Sequence, residues 1–164
     1  MDCQITFMRP EDWPAIREIY REGIATANAT FETELPDWNK WDGNHRRGCR
    51  LLAQTGEQIL GWAALSPVST RRVYSGVAEV SVYVASAARG IGVGKILLKA
   101  LVDESERNGI WTLQAGIFPE NVASIALHKS CGFREVGVRR RIGKLGDMWR
   151  DVLLLERRSS LVGA

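Results

Sequence analysis

The sequence has few of the residues that build disulfide frameworks and metal centres. Its three cysteines, Cys3, Cys49 and Cys131, are an odd number without a C-x-x-C pair. A disulfide scaffold is therefore not expected, and a reducing, cytoplasmic location is. The two histidines, His45 and His128, lie far apart in the chain, so we expect no zinc site and no other bound metal.

Long apolar runs are also missing. No stretch approaches the roughly 18 uninterrupted apolar residues of a transmembrane helix, and no basic segment followed by an apolar run indicates a secretory signal. The net charge of +3 suits an anionic small ligand but is too weak to indicate nucleic acid or a membrane as partner. Because the composition is 45% hydrophobic and 25% charged, we expect residues 1–164 to form a single globular domain.

A glycine-rich turn between a strand and a helix is the clearest feature of the chain. Residues 77–84 alternate in the manner of a strand, and Arg-Gly-Ile-Gly-Val-Gly-Lys follows at residues 89–95, before a helical pattern. Glycines let a phosphate approach the backbone, and the free N–H groups and dipole of a helix N-terminus favour an anion. The stretch therefore predicts a site for a phosphate-bearing ligand, with Arg89 and Lys95 adding positive charge.

Two common nucleotide motifs do not fit this turn. A P-loop needs Ser or Thr after its lysine, but Lys95 is followed by Ile96. A dinucleotide-binding fingerprint needs G-x-G-x-x-G and an acidic residue at the end of the next strand, and neither is present. The turn does fit the pattern R/Q-x-x-G-x-G/A, although a glycine-rich turn without any ligand remains an alternative.

The predicted elements follow the order β-α-α-β-β-β-α-β-α-β-β. Helices start near residues 10–12 and 36–37, a hairpin covers residues 50–65, and two strands close the chain before a loose tail from residue 157. This order predicts a mixed α/β (α+β) sheet with helices on both faces. It is not a doubly wound sheet, because the strand before the glycine turn ends a run of hairpins.

A second motif lies about thirty residues after the turn. It comprises Asn121, Ser124, Leu127-His128 and Gly132-Phe133. Together with the turn it resembles the GCN5-related N-acetyltransferase (GNAT) superfamily, over essentially the whole chain. The resemblance implies acetyl-CoA as co-substrate and the GNAT fold, a largely antiparallel sheet of seven strands.

Three segments resemble one subfamily, the phosphinothricin and methionine sulfoximine acetyltransferases. They are residues 29–34, 77–84 and 146–152. Such enzymes acetylate the α-amino group of glutamate- or methionine-like acids, and the resemblance implies a homodimer. We therefore predict an acetyl-CoA-dependent N-acetyltransferase acting on a small amino acid or analogue. The alternatives are a GNAT that acetylates a protein N-terminus or another amine, and a non-catalytic acyl-CoA- or nucleotide-binding module.

The resemblance also assigns roles. Glu79, in the central strand, is the predicted base that takes a proton from the amine through water. His128 stands where many GNATs place a tyrosine that protonates the departing thiolate, and a histidine that only packs its helix is equally open. The residues predicted to bind coenzyme A are Val82, Tyr83, Val84, Arg89, Gly90, Gly92, Val93, Gly94, Lys95, Asn121 and Ser124.

The acceptor contacts are predicted in two loops and the central strand. Arg72 would pair with the acceptor carboxylate, since arginine binds carboxylates bidentately, and an exposed loop is the alternative. Asn121 is open to a second interpretation as a helix N-cap. The predicted acceptor-binding residues are Phe31, Glu32, Arg72, Val73, Tyr74, Glu79, Val82 and Tyr83.

Overall fold

The computed structural model describes residues 2–164, in which four α-helices pack against one sheet of seven strands. The predicted element order and fold class are confirmed. The helices are α1 (Trp13–Ala25), α2 (Trp38–Asn44), α3 (Val93–Arg107) and α4 (Val122–Ser130). The strands are β1 (Gln4–Phe7), β2 (Leu51–Thr55), β3 (Gln58–Pro67), β4 (Val77–Val84), β5 (Thr112–Ile117), β6 (Arg134–Leu145) and β7 (Met148–Arg158).

A gap in the middle of the sheet is the feature that positions the site. The strand order is β1-β2-β3-β4-β5-β7-β6, and all neighbours are antiparallel except β4 and β5. These two parallel strands pair only over residues 77–79 and 112–114, whereas β4 pairs with β3 along almost its whole length. Beyond Glu79, therefore, one edge of the β4 backbone is free to bind a ligand.

Two hydrophobic clusters hold helices on the two faces of the sheet. One packs α3 against the inner strands through aliphatic residues such as Leu97, Leu98 and Leu101, none of which is exposed. The other joins α1 and α2 to β3 and is aromatic, with Trp41 and Trp62 only 1% exposed. Trp38 and Trp41 lie on one face of α2, with ring centroids 5.8 Å apart. The site thus rests on two separately packed layers.

The C-terminal tail differs from the expectation of a loose segment. Strand β7 continues to Arg158, and the guanidinium of Arg158 donates hydrogen bonds to the carbonyl oxygens of Ser159, Val162 and Gly163. Ser159 is buried, and its hydroxyl accepts from the N–H groups of Leu161 and Val162. One arginine therefore orders a tail that lacks any periodic pattern.

Residues 2–164 include no helix that is long and apolar enough to cross a membrane. The same residues contain no group of three or more His, Cys, Asp or Glu side chains that could hold a metal ion. The three cysteines are free, and burial raises the pKa of the Cys49 thiol to about 11. Cys49 is therefore protonated at neutral pH and is a poor nucleophile.

Candidate active site

The glycine turn opens the N-terminus of α3 towards the gap. Gly90 and Gly92 have φ angles of 79° and 95°, a backbone conformation that residues with a Cβ rarely adopt. Gly92 is the N-cap, and the N–H of Ile96 is bonded to its carbonyl oxygen. The preceding N–H groups of Val93 to Lys95 have no partner one turn earlier, so they are available to an anion.

A cavity of about 440 Å³ lies over this turn. A Cβ on Gly94 would lie 3.1 Å from Leu127 Cδ2, so the glycine allows α3 to approach α4 closely at the cavity wall. The structure brings together every residue that was predicted to bind the cofactor. The lining includes Val82, Tyr83, Val84, Arg89, Gly90, Gly92, Val93, Gly94, Lys95, Asn121 and Ser124.

A second cavity, of about 480 Å³, contains the predicted base. Its walls include Phe31, Glu79, His128 and Arg139. The two cavities have a common wall, because residues Asn28, Ala29, Val82, Tyr83, Asn121 and Ser124 line both. A ligand over the glycine turn and a second ligand beside Glu79 would therefore meet at the free edge of β4. We call the first the donor cavity and the second the acceptor cavity.

Glu79 lies at the point where β4 and β5 separate. Its carboxylate is half-buried and accepts a hydrogen bond from the Gln114 amide, with Nε2 and Oε1 3.4 Å apart. A Cβ on Gly116 would lie only 3.8 Å from Glu79 Oε1. Because Gly116 has no side chain, the carboxylate faces open space in the acceptor cavity.

His128 is 5% exposed and lies in the wall of the same cavity. Its Nδ1 is 2.7 Å from the carbonyl oxygen of Ser124, so Nδ1–H donates and Nε2 is the unprotonated nitrogen of the neutral ring. Burial lowers the pKa of His128, although the bond to Ser124 opposes this change. The ring is therefore neutral at pH 7, which works against its predicted role as a proton donor. Because Nδ1 already carries a proton, it cannot activate the nearby Ser124 hydroxyl.

This burial predicts a pH-dependent stability. The pKa values of His45 and His128 are both lowered by burial, whereas in the unfolded chain they return to about 6.5. The unfolded chain therefore binds more protons as the pH falls through 6.5, so the free energy of unfolding should fall between pH 7 and pH 5.5. Urea unfolding should show a smaller fall in His128→Asn, whose amide can still donate to Ser124. An identical pH dependence in both proteins would contradict this explanation.

Asn121 has its polar atoms engaged within the protein. Its Oδ1 accepts from the N–H of Ser124 at 3.2 Å, which confirms the N-cap interpretation. Its Nδ2 donates to the carbonyl oxygen of Asn28 at 3.1 Å and so ties the loop after α1 to α4. Asn121 therefore shapes the boundary between the two cavities.

The Tyr83 side chain is part of the aromatic cluster. Its ring stacks on Trp62 with centroids 4.8 Å apart, and a Cβ on Gly23 would lie 2.7 Å from it. Burial is the main cause that raises the pKa of the Tyr83 phenol. The ring thus anchors the free edge of β4 to α1 and keeps this part of the backbone in place.

The predicted acceptor contacts divide into two groups. Phe31, Glu79, Val82 and Tyr83 line the acceptor cavity. Glu32 is outside both linings, and so is the exposed 3-10 helix Arg72–Tyr74. This helix precedes the first residue of β4, whereas the gap opens beyond Glu79. Within one chain, therefore, the helix forms no wall of the cavity that contains the predicted base.

Sequence reasoning missed two arginines of the C-terminal hairpin. Arg139 lines the acceptor cavity. Arg150 lies behind its wall, where the guanidinium carbon is 3.9 Å from the centroid of the Phe118 ring. Phe118 packs edge to face against Phe31, with centroids 4.9 Å apart. The alternation of β7 could have indicated on which face Arg150 lies, but not its partner in a distant loop.

Comparison with known proteins defines the class. Residues 13–133 match the model of the acetyltransferase (GNAT) family. The chain belongs to that family. This agrees with its fold and with the position of the glycine turn directly after β4, the strand that separates from β5. The prediction of an N-acetyltransferase is thereby confirmed.

Individual relatives cover almost the whole chain. It is 34% identical to phosphinothricin N-acetyltransferase of Alcaligenes faecalis, over 94% of this chain and 82% of that protein. A ribosomal-protein-alanine N-acetyltransferase from Brucella melitensis has a similar structure, with a TM-score of 0.88, 34% identity, and coverage of 95% and 99%. A phosphinothricin acetyltransferase from Sinorhizobium meliloti, solved in complex with acetyl-CoA, has a TM-score of 0.87, 28% identity, and coverage of 99% and 91%. The predicted subfamily resemblance is confirmed.

Proposed function

We propose that this protein transfers an acetyl group from acetyl-CoA to the α-amino group of a small amino acid or analogue, of the phosphinothricin, methionine sulfoximine or methionine sulfone type. The observation that carries the proposal is the common wall of the two cavities at Val82 and Tyr83, with Glu79 in the acceptor cavity. A thioester in the donor cavity and an amine in the acceptor cavity would both contact these shared residues and would therefore be adjacent. Direct attack of the amine on the thioester is the chemistry that this arrangement favours.

The residues of the donor cavity suit coenzyme A. The pyrophosphate would bind the N–H groups at the start of α3, with Arg89 and Lys95 as nearby positive charges. Backbone N–H groups on the free edge of β4, between Val82 and Val84, would bind the pantetheine arm. One of them would polarise the thioester carbonyl, since donors fixed beforehand stabilise the charge that develops on its oxygen.

The acceptor cavity supplies the base. An amine must lose a proton before it attacks, and Glu79 is the one Asp or Glu in the lining of this cavity among residues 2–164. His128 stays a prediction for the protonation of the thiolate, although its neutral ring must first take up a proton. A thiol has a pKa near 8.5, so little catalytic assistance is needed at that step.

A relative named as a ribosomal-protein-alanine N-acetyltransferase favours the alternative of a protein N-terminus as acceptor. The acceptor cavity of about 480 Å³ is within the range for small-molecule sites. Phe31 and Phe118 close one side of it. These two observations favour a free amino acid.

Release of free coenzyme A from acetyl-CoA can test the proposal. The acceptors to be compared in this assay are phosphinothricin, methionine sulfoximine, methionine sulfone, common amino acids and a peptide with an N-terminal alanine. We expect the first three acids to be acetylated with a higher kcat/KM than the peptide. Preference for the peptide would contradict the proposed acceptor, and no turnover with any amine would favour a non-catalytic acyl-CoA-binding module.

We also propose that residues 1–164 form one acetyltransferase domain that acts as a homodimer in the cytoplasm. Strand β6 is a long edge strand with exposed Val136 and Val138, and Trp149 is exposed in the same hairpin. Such an edge is a ready template for association with a second chain. Free cysteines suit a reducing compartment. Arg72, Val73, Tyr74 and Glu32 remain predicted acceptor contacts.

A further inference from the structure

We propose that the guanidinium of Arg139 binds an oxyanion of the acceptor and thereby selects amines that carry an acidic group. The inference rests on the proposed function and adds to it the residue that sets the acceptor class. The sequence predicts that Arg72, in the loop before β4, binds the acceptor carboxylate. The inference assigns the binding of an acceptor oxyanion to Arg139, on β6.

The charge of the acceptor cavity suits an amino acid. Among residues 2–164, its lining includes one acidic side chain, Glu79, and one lysine or arginine, Arg139. An amino acid presents an ammonium group and a carboxylate. A cavity with one carboxylate and one guanidinium matches both groups, whereas a simple amine would leave the guanidinium unpaired.

The backbone of Gly116 forms the floor of the acceptor cavity beside Glu79. Gly116 is exposed between the buried residues Ala115 and Ile117. A Cβ on Gly116 would lie 3.8 Å from Glu79 Oε1 on one side and 3.2 Å from Val152 Cγ1 on the other. Val152 is in turn the partner of Arg139 in the β6–β7 pairing. The bare backbone of Gly116 thus leaves space for a small molecule between Glu79 and Val152, on the side of the sheet towards β6.

A bulge in β6 sets the position of Arg139. Its register with β7 breaks directly after Arg139, where residues 140–142 lie opposite the single residue Asp151. Arg141 has a φ of 48°, and its N–H donates to Asp151 Oδ1 at 2.7 Å, which fixes the bulge. A bulge bends its strand, and the next residues, Ile142 and Gly143, also line the acceptor cavity. Arg139 is therefore held at the start of a segment that curves along the cavity.

The Arg139 guanidinium has no hydrogen-bond or ion-pair partner in residues 2–164. Three other arginines of the same hairpin are engaged: Arg134 with Glu156, Arg157 with Glu106, and Arg150 with Glu120. Arg139 is exposed and, like Arg140, makes no side-chain hydrogen bond or ion pair with a described residue, but of these two only Arg139 lines the acceptor cavity, so its five N–H donors are free for a ligand there. Charge-assisted pairs between arginine and oxyanions are among the stronger polar contacts.

The oxyanion has two possible sources in the proposed acceptors. It is the α-carboxylate, which all of them carry, or the distal phosphinate of phosphinothricin. The backbone of Arg139 lies two strand spacings across the sheet and two residues along it from that of Gly116, about 12 Å away. A carboxylate and a phosphinate have the same recognition chemistry, so the acceptors in the test must separate them.

The test uses Arg139→Met, which removes the charge but keeps an extended apolar side chain. The acceptors are phosphinothricin, methionine sulfone and 3-(methylsulfonyl)propylamine, the decarboxylated form of methionine sulfone. With saturating acetyl-CoA, we expect KM to rise at least tenfold for one or both acids, with little change in kcat. KM for acetyl-CoA and kcat/KM for the decarboxylated amine should stay within twofold. Arg139→Lys should recover part of the loss, since it restores the charge without the bidentate fork.

The matched control is Arg140→Met, because Arg140 is the next residue on β6 and lines neither cavity. A rise in KM for both acids in Arg139→Met assigns the α-carboxylate, and a rise for phosphinothricin alone assigns the distal group. Unchanged KM values for both acids, or an equal loss with the decarboxylated amine, would overturn the inference while the proposed function stands. A wild-type protein that acetylates neither acid would overturn the proposed function and the inference together.

Discussion

Glu79→Gln should lower kcat by roughly two to three orders of magnitude while acetyl-CoA binds as before. Glutamine has the size of glutamate but cannot take a proton from the ammonium group of the acceptor. Glu79 is in the lining of the acceptor cavity and not of the donor cavity, so the dissociation constant of acetyl-CoA should stay within twofold. Steady-state kinetics and isothermal titration calorimetry measure the two effects separately.

Glu57→Gln is a suitable control, because Glu57 lies in the exposed β2–β3 turn. An unchanged kcat in Glu79→Gln would exclude this residue as the base, even if the acceptor proves to be an amino acid.

Arg150→Met should destabilise the protein and weaken acceptor binding. The side chain is 12% exposed, and its Nη1 donates to the carbonyl oxygen of Ala27 at 2.9 Å. Ala27 has a φ of 52°, a conformation that costs roughly 1–2 kcal/mol in a residue with a Cβ. This contact and the one from Asn121 to Asn28 hold the strained loop in place. Loss of the charged hydrogen bonds should lower the free energy of unfolding by about 2 kcal/mol.

Arg150→Met should weaken the binding of the acceptor more than the binding of acetyl-CoA. Without Arg150, the Phe118 ring loses the guanidinium that packs on it, and Phe31 loses a fixed partner at the cavity wall. KM for the acceptor should therefore rise several-fold, and the melting temperature should fall by about 4–8 °C.

Arg134→Met is the control for Arg150. Its ion pair with Glu156 lies on the same hairpin, but the Arg134 side chain is 66% exposed, so its loss should cost below about 1 kcal/mol. Arg150→Lys should retain the charge but not all of the contacts. A normal melting temperature and an unchanged KM in Arg150→Met would show that the loop does not depend on this side chain.

Local patterns predicted the donor side of the site well. The glycines of the turn, the start of α3 and the alternation of β4 are encoded within a few consecutive residues. In the structure they form one cavity. The cap at Asn121 was likewise visible, because an N-cap depends only on its own helix.

The acceptor side was harder to predict because it depends on long-range register. Residues 139–141 are three consecutive arginines, and which of them faces the cavity is decided by a bulge with a non-glycine residue at positive φ. Such a bulge has no short sequence signature. Arg150 contacts Ala27, which lies 123 residues earlier in a segment without periodicity. Arg72, in contrast, stands near Glu79 in sequence, but in the single chain it lies outside the cavity.

The common wall of the two cavities has a kinetic consequence. No cysteine of residues 2–164 lines either cavity, and the His128 nitrogen nearest to Ser124 is already protonated. Among residues 2–164, neither cavity therefore offers a cysteine thiol or a histidine-activated serine on which an acetyl group could be stored between two half-reactions. We therefore expect acetyl-CoA that binds alone to remain intact, and its thioester to react only when an amine occupies the acceptor cavity.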